Sequence, residues 1–137
     1  MPDREFLFRG KRLDNGEWAE GYLVKYPSAI QVGDSSPWYI IVPPVDPDDN
    51  GGRYNVAPST VSQYTGLTDK YGTRIFDGDR LYDPHENTVY TVEWNNEKAM
   101  FQMAYNWRRR SMEFACYCEA FGNRWDNPEL LGGDQHE

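Results

Sequence analysis

Apolar and polar residues alternate along most of the chain in short runs, with the period of two that is typical of β-strands. Two such runs, 4–13 and 17–26, flank Asp14–Gly16, and Asp-Asn-Gly between alternating segments is a strong signal for a hairpin turn. A third strand is predicted at Pro37–Val42, where the apolar run is continuous and indicates burial on both faces. The N-terminal part of the chain is therefore predicted to be a β-region.

The segment 43–52 interrupts this pattern. Its sequence, PPVDPDDNGG, is rich in turn residues and acids and has no periodicity, so we expect an exposed, variable loop. Extended structure resumes after it. Pro58 predicts an edge strand or a break at that point, because proline has no N–H to donate to a sheet.

The C-terminal half shows the strand pattern more regularly. A short strand is predicted at Asp79–Asp83, a second hairpin from 87–94 and 98–105, and a further strand at 112–121. The tripeptide Asn-Pro-Glu at 127–129 has the residue order that begins a helix, so one short helical turn is expected there. Short strands separated by regular turn signals predict a mainly-β sandwich or small barrel.

Composition narrows the function classes. The 137 residues include 14 basic and 22 acidic ones, which gives a formal net charge of −8. This balance opposes non-specific binding to nucleic acid or to anionic lipid. No apolar stretch approaches the ~18 residues of a membrane-spanning helix, and the N-terminal residues lack the zones of a signal peptide. We therefore expect a protein of the bacterial cytoplasm with no membrane partner.

The two cysteines, Cys116 and Cys118, lie in the predicted strand 112–121. Alternation would point both thiols to the same face, with the Cα atoms roughly 6.5 to 7 Å apart, which is awkward for a disulfide. Two thiols are also only half of a tetrahedral zinc site. We predict free, half-buried strand residues and expect no cofactor.

The acidic stretch 77–86 has two interpretations. Asp77 and Asp79 flank Gly78, where carboxylates commonly accept hydrogen bonds from turn amides. The alternative is a metal site with oxygen and nitrogen ligands from Asp77, Asp79, Asp83, His85 and Glu86. The turn interpretation is favoured, because Pro84 interrupts the strand that would have to align these ligands.

The segment Gln63–Leu81 resembles the signature of the YopX family, small proteins of bacteriophages, prophages and other mobile elements. Three further blocks resemble the family pattern in the same order, at Arg4–Gly10, Thr91–Phe101 and Phe121–Leu131. The positions that carry the resemblance, read as structural, include Gln63, Tyr64, Thr65, Gly66, Leu67, Asp69, Gly72, Ile75, Phe76, Gly78, Asp79, Glu93, Trp94, Gly122, Asn123, Asn127, Pro128, Glu129 and Leu130.

The resemblance implies a mainly-β fold whose C-terminal part is similar to an SH3-like barrel, and it implies no biochemical activity. The expected divisions are a β-region at 1–62, the signature region at 63–131 and a tail at 132–137. One position departs from the pattern. Arg80 stands where the family usually has an aliphatic residue, which puts the burial of position 80 in doubt.

A second acidic cluster matches part of a calcium-binding loop. Asp46, Asp48 and Asn50 fall at its first, third and fifth places, but Ala57 stands at the twelfth place, which requires a bidentate glutamate. The prolines at 43, 44 and 47 also prevent the preceding helix. A solvated acidic loop is the favoured interpretation, and a weak cation site is the alternative.

The segment 105–110 places three arginines beside aromatic residues, a pattern that can stack on single-stranded bases. Because the chain is strongly acidic and surface arginines commonly pair with carboxylates, nucleic acid is not the expected partner. The candidate contacts for this alternative are Trp107, Arg108, Arg109 and Arg110.

No catalytic constellation is visible. The two histidines, His85 and His136, have no evident nucleophile beside them, and no phosphate-binding loop follows a strand. We therefore expect a non-enzymatic accessory protein that binds a protein partner or itself. Exposed aromatic side chains would form such a contact, and Tyr64, Trp94 and Trp125 are the candidates. A metal-dependent enzyme is the third possibility.

Overall fold

The computed structural model describes residues 5–27 and 36–129, which form antiparallel β-strands with two short 3₁₀ helices. The predicted mainly-β class is confirmed. Contacts divide the chain into two compact units, Met1–Gln63 and Tyr64–Glu137. Within the described ranges, no helix is long and apolar enough to cross a membrane.

The first unit is an antiparallel sheet in the order β4-β3-β2-β1. The beginning of a fifth strand adds to β1, where Gln63 lies opposite Phe8. Ala19, Ile40 and Val56 are buried together at its apolar centre. The strands are β1 (Phe8–Lys11), β2 (Trp18–Lys25), β3 (Trp38–Val42), β4 (Gly52–Asn55) and β5 (Ser62–Thr68).

The Asp-Asn-Gly turn forms between β1 and β2 as predicted. The N–H of Gly16 donates to the carbonyl of Arg12 at 2.9 Å, and Gly16 has a φ of 75°, which glycine adopts without strain. The strand predicted at Pro37–Val42 is β3, but only Tyr39 and Ile40 are buried in it, so burial on both faces applies to its middle. Pro58 begins a 3₁₀ helix, Pro58–Thr60, which is the predicted break.

The second unit contains a five-stranded antiparallel sheet in the order β10-β9-β8-β7-β11. The remainder of β5 pairs with a short sixth strand. The added strands are β6 (Arg74–Phe76), β7 (Asp79–Asp83), β8 (Thr88–Asn95), β9 (Met100–Tyr105), β10 (Arg108–Ser111) and β11 (Glu119–Asn123). Its buried apolar cluster contains Ile75, Leu81, Tyr90, Val92, Met103, Met112, Ala115 and Cys118. The second predicted hairpin, β8–β9, is confirmed.

The prediction of a strand at 112–121 is wrong. A second 3₁₀ helix occupies Met112–Tyr117, and β11 begins only after it. The side chain of Ser111 caps this helix by accepting a hydrogen bond from the N–H of Glu113 at 3.4 Å. Met112, Ala115 and Cys118 are buried at a spacing of three, which fits three residues per turn better than the alternation of a strand.

This correction also changes the cysteines. Both are free, as predicted, but they do not share a face: Cys116 is exposed and Cys118 is buried. The helical turn predicted at the C-terminal end falls partly outside the described residues. Pro128 and Glu129 lie in a turn there, and Leu130 is not among the described residues. The similarity to an SH3-like barrel stays a prediction.

Candidate functional site

The aspartates of the stretch 77–86 are bonded to the backbone around them. The Asp79 carboxylate accepts a hydrogen bond from the N–H of Phe76 at 2.8 Å, and Asp83 accepts one from the N–H of His85 at 2.8 Å. Asp77 lies with Gly78 in the two-residue turn that joins β6 to β7. In residues 5–27 and 36–129, no group of three His, Cys, Asp or Glu side chains could hold a metal ion. The geometry therefore supports the turn interpretation.

The acidic loop uses its carboxylates in the same way. Asp46 accepts from the N–H of Asp48 at 2.9 Å, and Asp49 accepts from the N–H groups of Gly51 and Val45 at 2.8 and 3.1 Å. These backbone donors lower the pKa of Asp49. Asn50 is exposed beside them. Local turns account for this loop without a cation.

All three arginines of the run 108–110 pair with carboxylates. Their partners are Glu86 for Arg108 at 3.5 Å, Glu93 for Arg109 at 2.7 Å, and both Asp83 and Glu86 for Arg110 at 2.6 and 2.9 Å. Trp107 beside them is 86% exposed in the turn between β9 and β10. The three positive charges are therefore locally compensated, which weakens the sequence argument for phosphate contacts.

Arg110 is the most enclosed of the three. Its guanidinium lies 4.2 Å from the ring centre of Phe114 and 5.8 Å from that of Tyr90, on the apolar face of the sheet. Burial alone would raise the pKa of Asp83. The hydrogen bonds from Arg110 and from two backbone N–H groups outweigh burial and hold that pKa below its usual value. The pair joins β10 to the end of β7 across the apolar face of the sheet.

The opposite face of the same sheet carries a cleft. One row of directly opposed residues crosses all five strands in the order Gly122, Arg80, Thr91, Ala104 and Arg109. Opposed residues project to the same face, so this row forms a floor. The small side chains in the row leave space above it, and the cleft has a volume of about 540 Å³.

Arg80 lies in this floor between Gly122 and Thr91 and is only 3% exposed. Its Nη1 donates to the hydroxyl of Thr91, whereas its Nε is buried without a hydrogen-bond partner. Burial lowers the pKa of this guanidinium, and the positive charge of Arg124 lowers it further, while Glu129 acts in the opposite direction. The doubt about the burial of position 80 is thereby resolved: the side chain is buried and remains polar.

The wall of the cleft comes from the turn after β11. The side-chain oxygen of Asn123 accepts hydrogen bonds from the N–H groups of Trp125 and Asp126 at 3.0 and 2.8 Å, and Asn127 bonds back to Asn123. This turn holds Trp125 against Gly78, where an added Cβ would lie 2.6 Å from the indole ring. The ring in turn lies 4.6 Å from the guanidinium of Arg124.

Several positions of the family signature have clear structural roles. The buried Asp69 accepts hydrogen bonds from the N–H groups of Tyr71, Thr73 and Ala120, which closes the turn and joins it to β11. Thr65 donates its hydroxyl to the carbonyl of Ile75 at 2.8 Å. Glycine is required at three of these positions. Gly66 and Gly72 have positive φ, and at Gly78 the ring of Trp125 packs so closely that a Cβ would clash with it.

The aromatic residues singled out as partner contacts differ in exposure. Tyr64 is half-buried and packs on Phe76 with the ring centres 5.5 Å apart. Trp125 is half-buried in the cleft wall. Trp94 is 44% exposed and packs edge-on against Phe101 with the ring centres 4.9 Å apart. Of these three, Trp94 offers the largest free aromatic surface.

Sequence reasoning placed the arginines and the signature residues on the chain but missed the cleft. A signal was present, since an arginine at a strand position between two buried neighbours departs from the aliphatic residue of the family pattern. The sequence does not reveal the register that places Arg80 opposite Thr91, or the turn that brings Arg124 to the same cleft. Arg124, Thr91 and Asn106 were not among the predicted site residues.

The fold and the cleft describe a small, mainly-β protein with a polar recess on one sheet. The model of the YopX protein family matches residues 7–132, so the chain belongs to that family, as the resemblance of its signature suggested. None of the curated proteins matches the chain at a significant level.

Proposed function

We propose that the protein is a non-enzymatic accessory protein of a phage or prophage, which acts in the bacterial cytoplasm by binding a protein partner or a second copy of itself. Family membership supports the mobile-element context, since the resemblance of the signature implies it. The observation that supports binding to a protein is the Trp94–Phe101 patch, an aromatic pair at the end of the β8–β9 hairpin.

This patch has the composition of a contact surface. Trp94 and Phe101 are directly opposed across the two strands and so project to the same face, where Trp94 is 44% exposed. Exposed aromatic side chains are enriched where proteins bind one another, because they bury much apolar area at low entropic cost. The patch therefore supplies an apolar surface on a chain whose net charge keeps it in solution.

The sheet edges favour contact through side chains over strand addition. The edge strand β10 carries three arginines, and the other edge, β11, has an irregular register between Ala120 and Gly122. Charged residues and bulges on edge strands both hinder pairing with another chain. A partner is accordingly expected to cover the Trp94–Phe101 patch rather than extend the sheet.

Two other functions are alternatives. A nucleic-acid-binding role would rest on the arginines of β10, which have carboxylate partners at 2.6–3.5 Å. A metal-dependent enzyme would need ligand clusters, and in the described part of the chain no such cluster occurs. Each has less support than the aromatic patch.

The test is capture of partners from host lysate with tagged protein, with and without nuclease. We expect an enriched protein that survives nuclease, is lost with Trp94→Ala and is retained with Trp107→Ala, a matched control for an exposed tryptophan. Recovery that depends on nucleic acid would instead support the arginine-based alternative. For self-association, light scattering over a wide concentration range should show a dimer mass that Trp94→Ala abolishes. A monomer throughout, together with no captured protein, would overturn the proposal.

A further inference from the structure

The cleft on the polar face of the five-stranded sheet contains a buried cation whose hydrogen-bonding capacity is incompletely used. Arg80 is 3% exposed, its Nη1 donates to Thr91, and its Nε has no partner. Buried guanidinium groups ordinarily have carboxylate or carbonyl partners, because an unpaired buried charge is strongly destabilising. Arg80 lines the cleft without a carboxylate bonded to it, which points to an anionic ligand that pairs with its charge.

The other charges around the cleft leave a positive excess. Arg80, Arg109 and Arg124 line it together with one carboxylate, Glu93. Glu93 is bonded to Arg109 at 2.7 Å, which leaves the charges of Arg80 and Arg124 facing the same space. Glu129 lies near enough to influence Arg80 but lies outside the cleft lining. Two neighbouring positive charges repel each other, and an anion bound between them offsets this repulsion.

The wall of the cleft keeps the second arginine in place. Arg124 stacks on the ring of Trp125, and Trp125 is fixed by the Asn123 turn and by its seat on Gly78. A site whose contact residues are held before binding loses little entropy when the ligand arrives. The recess is therefore preorganised.

We propose that this cleft binds an oxyanion, a carboxylate or phosphate group carried by a small organic molecule, and that Arg80 and Arg124 contact it. The guanidinium fork matches two oxygens of such a group. The volume of about 540 Å³ lies in the range of small-molecule sites and exceeds what an inorganic ion fills, so the remainder of the ligand lies over Ala104 and Asn106. This site is independent of the Trp94–Phe101 patch.

The test is a titration followed by the ¹H–¹⁵N resonances of arginine Nε groups, in which the Arg80 signal is identified by its loss in Arg80→Leu. Sodium phosphate and sodium acetate serve as probes, with sodium chloride at matched ionic strength as the reference. We expect a saturable shift of the Arg80 Nε resonance with at least one anion and none with chloride. Saturation by phosphate alone, by acetate alone or by both supports the site and identifies which oxyanion it accepts.

Two variants make the test specific. Arg80→Leu and Arg124→Gln should each weaken anion binding at least tenfold, observed for Arg80→Leu through the backbone amide of Arg124. Arg108→Gln, which alters an arginine outside the cleft lining, should bind like the wild type. The proposal is overturned if neither anion produces a saturable shift. It is also overturned if Arg80→Leu has a native amide spectrum and binds the anion with unchanged affinity.

Discussion

Two arginines on opposite faces of the five-stranded sheet are both withdrawn from solvent, yet their surroundings differ. Arg110, on the apolar face, bonds to Asp83 and Glu86 and stacks on Phe114. Arg80, on the polar face, is more deeply buried but donates only to a hydroxyl, and its Nε is buried without a hydrogen-bond partner. A buried charge that is paired with a carboxylate is part of the scaffold, whereas an unpaired one is a cost to folding that an anionic ligand can offset. The comparison separates a structural arginine from a functional one.

The largest expected effect is the loss of the structural arginine. Arg110→Met leaves the Asp83 carboxylate, with a side chain only 3% exposed, without its cation, so the free energy of unfolding should fall by about 3 kcal/mol. Urea denaturation measures the loss. The matched control Arg108→Met removes a side chain that is 42% exposed and should cost about 0.5 kcal/mol or less. Equal losses in the two variants would contradict the structural role of Arg110.

The same pair predicts a pH dependence. The pKa of Asp83 is lowered in the folded protein, so its ionised form contributes stability above the unfolded value of about 4, and this contribution disappears as pH falls through the folded pKa. Comparing urea midpoints between pH 7 and pH 3 should show a smaller acid-induced loss in Arg110→Met than in the wild type. An equal loss would exclude the pair as a source of the acid sensitivity.

The next largest loss of stability is expected where the cleft wall packs on Gly78. Gly78→Ala forces a Cβ to within 2.6 Å of the Trp125 ring at a φ of 89°, so we expect a loss of about 2 kcal/mol. Gly72→Ala is the control, because its φ is 83° but nothing lies within 4 Å, and about 1 kcal/mol of backbone strain is expected. Thermal denaturation compares them. Identical losses would mean that Trp125 does not rest on Gly78 in solution.

A smaller effect on stability tests whether water is excluded from the Cys118 thiol on the apolar face of the sheet. Burial raises the pKa of the Cys118 thiol to about 12 from an ordinary value of 9.0. The folded state therefore keeps its proton where the unfolded state loses it, so stability falls as pH rises above 9, by about 1 kcal/mol at pH 10. Cys118→Ala should lose less stability than the wild type between pH 8 and pH 10. Cys116→Ala, with the exposed thiol removed, should behave like the wild type.

The smallest effect on stability has the opposite sign to the first. Arg80→Leu replaces a buried charge that makes one hydrogen bond with an apolar side chain, so stability should change by roughly 0 to +1 kcal/mol in the absence of ligand. Urea denaturation in chloride measures it, beside Arg110→Met. A loss as large as that of Arg110→Met would show that Arg80 is also part of the scaffold and would remove the contrast between the two faces.

Much of the fold could be predicted because its signals are local. The hairpin at Asp14–Gly16 follows from glycine's tolerance of positive φ, and the strands follow from alternation. The segment 112–121 shows the limit of that reasoning. Alternation indicated a strand, but the cap at Ser111 and the burial of every third residue produce a 3₁₀ helix, and only contacts with the sheet reveal which residues are buried.

The mainly-β class, the turn role of Asp79 and the family could all be predicted from the sequence, since each depends on residues close together in the chain. Which arginines are paired depends on contacts between segments far apart in the chain. Arg110 finds Asp83 27 positions away, and Arg80 meets Thr91 and Arg124 only through strand register and the turn after β11. Local patterns fix backbone conformation, but the partner of a charge is set by which strands lie side by side.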